Sequence, residues 1–131
     1  MATTLFDNTT AFAGFSVDDP DAAAAFYRDT LGLTVREAGQ PGVLFIDLPG
    51  GAQVLAYGKP NHQPATFTVL NFPVPDLEAT VAELSGRGVS FLRYEGTPME
   101  TDERGIFRGG GPLIAWFTDP AGNVIAVLED A

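Results

Sequence analysis

FSVDDPDAAAAFYRDTLG, residues 15–32, and FPVPDLEATVAELSGRG, residues 72–88, align as two copies of one plan. Phe15 matches Phe72, Val17 matches Val74, Asp19 matches Asp76, Ala22 matches Ala79 and Ala25 matches Ala82. In each copy a strand runs into an aspartate suited to cap a helix, because its carboxylate accepts from backbone N–H groups that the first turn leaves free. In the first copy Pro20 suits the first helical position and Gly32 is a stop. Ala22, Ala25 and Phe26 share one helical face there and are expected to pack on a sheet. In the second copy Leu77, Val81 and Leu84 make the apolar stripe, and Gly86 or Gly88 ends the helix.

Working outward, each helix is followed by short β-rich segments. In the first half these are residues 33–37, 43–48 and 53–57, divided by the turns Gln40-Pro41-Gly42 and Pro49-Gly50-Gly51. In the second half they are 89–94, 113–118 and 124–128, the last entered through the turn Asp119-Pro120-Ala121-Gly122-Asn123. Each half therefore reads βαβββ, which predicts an α+β chain forming a cupped mixed sheet. We expect one domain over 1–131, with a first module of about 9–58, a hinge at 59–64 and a second module of about 65–130. The connection 95–111 is long for a loop, so it reads either as a mobile lid or as a surface insertion.

The bulk numbers bound the function. The 131 residues are 45% hydrophobic and 18% charged, a composition of folded chains with a real core. No apolar run approaches the roughly 18 residues of a membrane span. The opening MATTLFDNTT lacks the basic start and apolar stretch of a secretory leader, so neither a membrane nor export is expected and the cytoplasm is the natural compartment. Without cysteine there is no disulfide framework and no thiolate chemistry. Seventeen acidic residues against seven Lys plus Arg give a net charge of −10, which repels nucleic acid phosphates. That charge favours cationic ligands or serves solubility alone.

The repeat, together with DPAGNVIAVLE at residues 119–129, resembles the vicinal oxygen chelate superfamily, which includes glyoxalase I, extradiol dioxygenases and bleomycin-resistance proteins. The resemblance covers nearly the whole chain. It implies a cupped sheet in each module and a homodimer whose pockets involve both chains. It leaves function open, because the fold hosts lyases, isomerases, oxygenases and plain drug binders.

Enzymes of that superfamily hold a divalent metal with His and Glu side chains from four strands. Carried onto this chain residue by residue, the first-strand position is Phe12, the position opening the second half is Val69, and the last-strand position is Ala126. The remaining strand, 53–57, holds no carboxylate or histidine. Phenyl, isopropyl and methyl groups cannot coordinate an ion, so no metal and no cofactor is expected. The single histidine, His62, falls in the hinge and reads as a solvated loop residue.

What the resemblance leaves is an apolar cup. Residues of the same pleat parity as the vanished ligands should face it, since side chains alternate along a strand. By parity these are Phe12, Gly14 and Ser16, then Phe67, Val69 and Asn71, then Val124, Ala126 and Leu128; Trp116, Phe45 and Tyr57 are added as expected ligand-binding aromatics, with Phe91 and Tyr94 on other strands. The expected partner is a small molecule, hydrophobic or cationic, such as an antibiotic, that is sequestered without turnover. The alternatives are a metal-independent enzyme using Asp47, Tyr57 or Glu100 as acid–base groups, and a dimeric module with no working pocket.

Overall fold

A computed structural model describes residues 5–130; residues 1–4, part of the stretch read for a leader, and residue 131 lie outside the described residues. The first module runs β1 (Ala13–Val17), α1 (Pro20–Ala25), β2 (Thr34–Glu37), β3 (Val43–Asp47) and β4 (Gln53–Gly58). The second runs β5 (Thr68–Val74), α2 (Leu77–Gly86), β6 (Ile106–Phe107), β7 (Ile114–Thr118) and β8 (Val124–Glu129). Each forms a four-stranded sheet, in the orders β1-β4-β3-β2 and β5-β8-β7-β6. In both, the first strand pairs in parallel with the last and the remaining pairs are antiparallel. The two-module α+β architecture read from the repeat is the one the chain adopts.

Both helices start as their sequences require. The Asp19 carboxylate accepts from the backbone N–H groups of Asp21 and Ala22, and that of Asp76 accepts from Ala79. Leu77, Val81 and Leu84 are buried as expected. The first helix differs. After Ala25 it widens into a π-helical turn, Phe26–Thr30, which rotates the buried face. Ala23 and Tyr27 point inward, whereas Ala25 is exposed, so the expected face of Ala22, Ala25 and Phe26 is corrected.

The second strand of the second module also differs. Of residues 89–94, only Phe91 makes a β-bridge, to Phe117, and Tyr94 adopts a positive φ of 48° that turns the chain away. The sheet is completed instead by β6, which lies inside the connection expected to be a lid. Gly105 makes this return possible. Its φ is +90°, and a Cβ there would collide with Cβ of Phe91.

One face of both sheets packs under the helices in a shared core. Phe15, Val17, Leu44, Ile46, Val54 and Ala56 come from the first module and Leu70, Ala115, Phe117, Ile125 and Val127 from the second. The modules are joined by a buried polar knot. Tyr27 donates to Asp119 Oδ2 at 2.6 Å. Asp119 Oδ1 accepts from the backbone N–H groups of Ala121 and Asn123, both at 2.9 Å. Asn123 Nδ2 donates to Asp119 and to the Ser16 carbonyl, and Asn123 Oδ1 accepts from the backbone N–H of Ala65.

His62 belongs to this knot and is not a solvated loop residue. Its Nε2 lies 2.9 Å from the Ala121 carbonyl, an acceptor only, so that nitrogen carries the proton. Its Nδ1, the acceptor nitrogen of the neutral ring, lies 2.6 Å from Ser16 Oγ. The hinge is therefore pinned to both modules at once. Among the described residues no helix is long and apolar enough to cross a membrane.

Burial, reinforced by the Asp119 carboxylate beside it, pushes the Tyr27 phenol far above the usual tyrosine value. The folded state thus holds this proton where an unfolded tyrosine, near pH 10, releases it. The stability tied to it is complete below about pH 10 and falls as pH rises beyond that value. Tyr27→Phe should lower stability at neutral pH by about 1–3 kcal/mol, by leaving a buried carboxylate short of a donor. It should also flatten the alkaline decline, and thermal melts of both proteins between pH 7 and pH 11 check both effects.

Candidate functional site

Side chains that skip the core emerge on the opposite face of each sheet. In the first module the register aligns Gly14, Leu55, Phe45 and Arg36 in one row across the four strands. Ser16, Tyr57 and Val43 form the row on one side, and Gln53, Asp47 and Thr34 the row on the other. Phe12, just before β1, packs edge-on against Phe45 with centroids 5.2 Å apart. The result is an aromatic platform open to solvent, with Phe12 53% and Tyr57 37% exposed.

Arg36 closes one side of that platform. Its guanidinium lies 5.8 Å from the Phe45 centroid, and its Nε and Nη2 donate to Asp47 at 3.3 and 3.0 Å. Gln53 Nε2 also donates to Asp47, at 3.1 Å. The hydrogen bond from Arg36 holds the Asp47 carboxyl below its usual range, which makes it a poor proton acceptor near neutrality. Of the other acid–base candidates, Glu100 accepts from the backbone N–H of Gly96 and braces a loop, and Tyr57 stands exposed on the platform. The structure brings no two of the three together as a catalytic pair.

The equivalent row in the second module is Asn71, Ala126 and Trp116. It is not open. Trp116, Val124 and Ala126 form an apolar cluster of their own with Leu92, Tyr94, Phe107 and Ile114 packed around it. Tyr94 meets the indole edge-on at 5.4 Å and Phe107 at 5.9 Å. Trp116 is 7% and Ala126 2% exposed, so neither presents a surface to a ligand in this state of the chain. Burial raises the Tyr94 phenol above its usual value.

The connection that covers this cluster is anchored. Thr101 Oγ1 donates to the Leu92 carbonyl at 2.8 Å, and Asp102 Oδ1 accepts from the backbone N–H groups of Arg104 and Ile106. Arg108 then bridges Asp102 at 3.0 Å and Glu78 of α2 at 2.6 Å. Segment 95–111 is thus a braced cover, in place of the lid or insertion expected.

The remaining expected residues line the seam where the free edges of β1 and β5 face each other. Phe12, Gln53, Val69 and Asn71 line one groove of about 480 Å³. Gly14, Ser16, Ala65, Phe67 and Val69 line another of about 610 Å³. Val69 departs from its expected parity, because a register shift between Thr68 and Leu70 packs it against the main core as well. Phe91 also leaves the cup, packing edge-on against Phe117 within the core at 5.7 Å. A larger hollow of about 700 Å³ beside Pro73, Pro112, Leu113 and Leu128 gathers none of the expected residues.

At the positions to which the superfamily resemblance assigns metal ligands, Phe12, Val69 and Ala126 offer no lone pair, and β4 carries no carboxylate or imidazole, only the Gln53 amide and the Tyr57 phenol. Among the described residues no three His, Cys, Asp or Glu side chains lie close enough to bind one. The donor set does not fit a metal.

A family model, "Glyoxalase/Bleomycin resistance protein/Dioxygenase superfamily", matches residues 9–127 of this chain. No curated protein matches the sequence. Among solved structures, the chain is similar to TnmS3, an antibiotic binding protein from Streptomyces sp. CB03234, at 26% identity and a TM-score of 0.63, over 95% of this chain and 98% of that one. It is also similar to a glyoxalase/bleomycin resistance protein from Catenulispora acidiphila, at 25% identity and a TM-score of 0.61, over 93% and 98% of the two chains. A superfamily member from Sphaerobacter thermophilus shares the fold, at 23% identity and a TM-score of 0.64, over 92% and 98%.

The two faces should respond differently to truncation. Trp116→Ala, which empties a packed cluster, should cost about 3–5 kcal/mol. Phe12→Ala, at an exposed position, should cost less than about 1 kcal/mol. Denaturant titrations of the two variants measure the contrast.

Proposed function

The chain belongs to the glyoxalase/bleomycin resistance protein/dioxygenase superfamily, and on that footing we propose that it is a metal-independent binding protein that sequesters a hydrophobic, planar small molecule. One observation carries this reading: the first module leaves Phe12 and Tyr57 exposed and Phe45 and Leu55 half-buried on one face, while Trp116 and Ala126 of the matching row in the second module are covered by the chain itself. Exposed aromatic groups gathered on one face favour contact with flat rings, stacked or edge-on, each contributing roughly 0.5–1.5 kcal/mol. The similarity to an antibiotic binding protein supports an antibiotic as the kind of molecule held. The hydrocarbon side chains at Phe12, Val69 and Ala126, and the lack of a carboxylate or imidazole on β4, favour binding over metal-assisted turnover.

We further propose that Phe12, Gly14, Phe45, Tyr57, Phe67, Val69 and Asn71 contact the ligand, along the platform and the adjoining seam. Trp116 and Ala126 contribute as the packed wall behind it. A second copy of the chain would close the open face, because Phe12 and Phe67 at 53% and 69% exposure are costly to leave in water. The compartment we propose is the reducing cytoplasm, which suits a chain without cysteine.

A screen of planar aromatic compounds should raise the melting temperature. Phe45→Ala or Tyr57→Ala should weaken the best hit roughly 3- to 10-fold, and EDTA should leave binding unchanged. A screen without hits, or binding abolished by EDTA, would defeat the proposal. Sedimentation equilibrium should give the mass of a dimer.

A further inference from the structure

We infer that the ligand carries an oxygen acceptor on the edge of its planar ring, and that Arg36 is the specificity-determining residue that reads it. The inference rests on the binding reading above and narrows its chemistry. Two features of the chain point in opposite directions. The net charge of −10 favours a cation anywhere near the surface. The platform itself does not.

The face of the first sheet that would receive the ligand holds one cation and one carboxylate among its described strand positions, Arg36 and Asp47. Asp47 is already occupied, accepting from Arg36 Nε and Nη2 and from Gln53 Nε2. A cationic ligand stacked on Phe45 would therefore meet a guanidinium already held 5.8 Å from that ring, with no unengaged carboxylate beside it. An oxygen acceptor meets the reverse situation. Guanidinium presents five N–H donors in a rigid fork, and Asp47 engages only the edge formed by Nε and Nη2. Among the described residues Nη1 makes no hydrogen bond. The ion pair with Asp47 and the ring of Phe45 fix the plane of the fork, so the Nη1 donors are oriented before any ligand arrives.

Range decides between the two tendencies. The field of the whole chain is screened over about 8 Å at physiological salt. A hydrogen bond to a charged donor acts at contact and is about twice as strong as a neutral one. The row Gly14–Leu55–Phe45 supplies the surface for the ring, the missing side chain at Gly14 keeps it flat, and Arg36 terminates it.

The test uses three fluorescent probes on one ring system: pyrene-1-carboxamide, pyrene-1-carboxylate and pyrene-1-methylammonium. Each is titrated at about 0.15 M salt. The carboxamide and carboxylate should bind roughly 3- to 10-fold more tightly than the ammonium. Arg36→Met keeps the apolar stem and should erase that preference while the ring still binds. Asp47→Asn frees the engaged edge of the fork and should widen the preference for the carboxylate. Equal or tighter binding of the ammonium, or an order unchanged in Arg36→Met, overturns the role of Arg36 and leaves the binding protein standing. If none of the probes binds, both readings fall. Unchanged melting temperatures of the free variants exclude a folding defect as the cause.

Discussion

The carboxylate of Asp119 is the point on which the two halves of this molecule turn. It sits at 3% exposure between the modules, where a bare charge would be prohibitive. Tyr27 from the first module, and Asn123 and the backbone of its own turn from the second, supply the donors that make it tolerable. The same donors tie the first helix, β1 and the turn before β8 into one arrangement. His62 extends the tie to the hinge, reaching Ser16 with one ring nitrogen and Ala121 with the other. A cooperative network of this kind fixes relative orientation more sharply than apolar contact does, because hydrogen bonds are directional and apolar burial is not. The seam between β1 and β5, and every groove along it, inherits its width from that knot.

Given this fixed frame, the difference between the two sheet faces follows from connection length. Between β2 and β3 the chain makes a tight turn, too short to reach back over its sheet. Between α2 and β7 it has residues to spare. It uses them to form β6, lay Tyr94 and Phe107 against Trp116, and brace itself to α2 through Arg108 and Glu78. One module thus supplies rigidity and the other supplies surface, although both follow the same plan. The exposed ion pairs in the brace add little individually, and the apolar contacts beneath them do most of the holding.

The repeat made the architecture legible because its signals are local. Asp19 and Asp76 cap helices by short-range chemistry, the stripe of Leu77, Val81 and Leu84 needs only a helical period, and β3, β4, β7 and β8 fall where β-rich runs between turns placed them. The expectations that failed depended on distant partners. The turn at Phe26–Thr30 widens where Tyr27 reaches Asp119, ninety-two residues away. The two-residue strand β6 is too short to show a period, and it is defined only by β7 beside it. His62 looked isolated because its partners, Ser16 and Ala121, come from two other segments. For the platform, parity put Phe12 and Gly14 on one face, while Phe45 and Tyr57 were expected only as aromatics on other strands, and their place in the same rows comes from the register. Arg36 carries no such signal, because an arginine is neither a metal donor nor an acid–base group near neutrality. The alternation of exposed Arg36 with half-buried Val35 was the available signal.

The last-strand position to which the superfamily resemblance assigns a metal ligand has a packing role of its own. Ala126 is 2% exposed, paired with Asn71 on one side and Trp116 on the other, and its small side chain belongs to the cluster gathered around the indole. A glutamate there would bring a carboxylate into an apolar cluster with no cation beside it, at a cost of several kcal/mol unless it stayed protonated. Protonated, it would be a weak ligand. Displacing Trp116 to make room would also disturb Tyr94 and Phe107, and with them the cover formed by the long connection. Recovering coordination would thus require repacking much of the second face. The methyl group of Ala126 is thus integral to the packing that closes the second face and leaves the first as the open one.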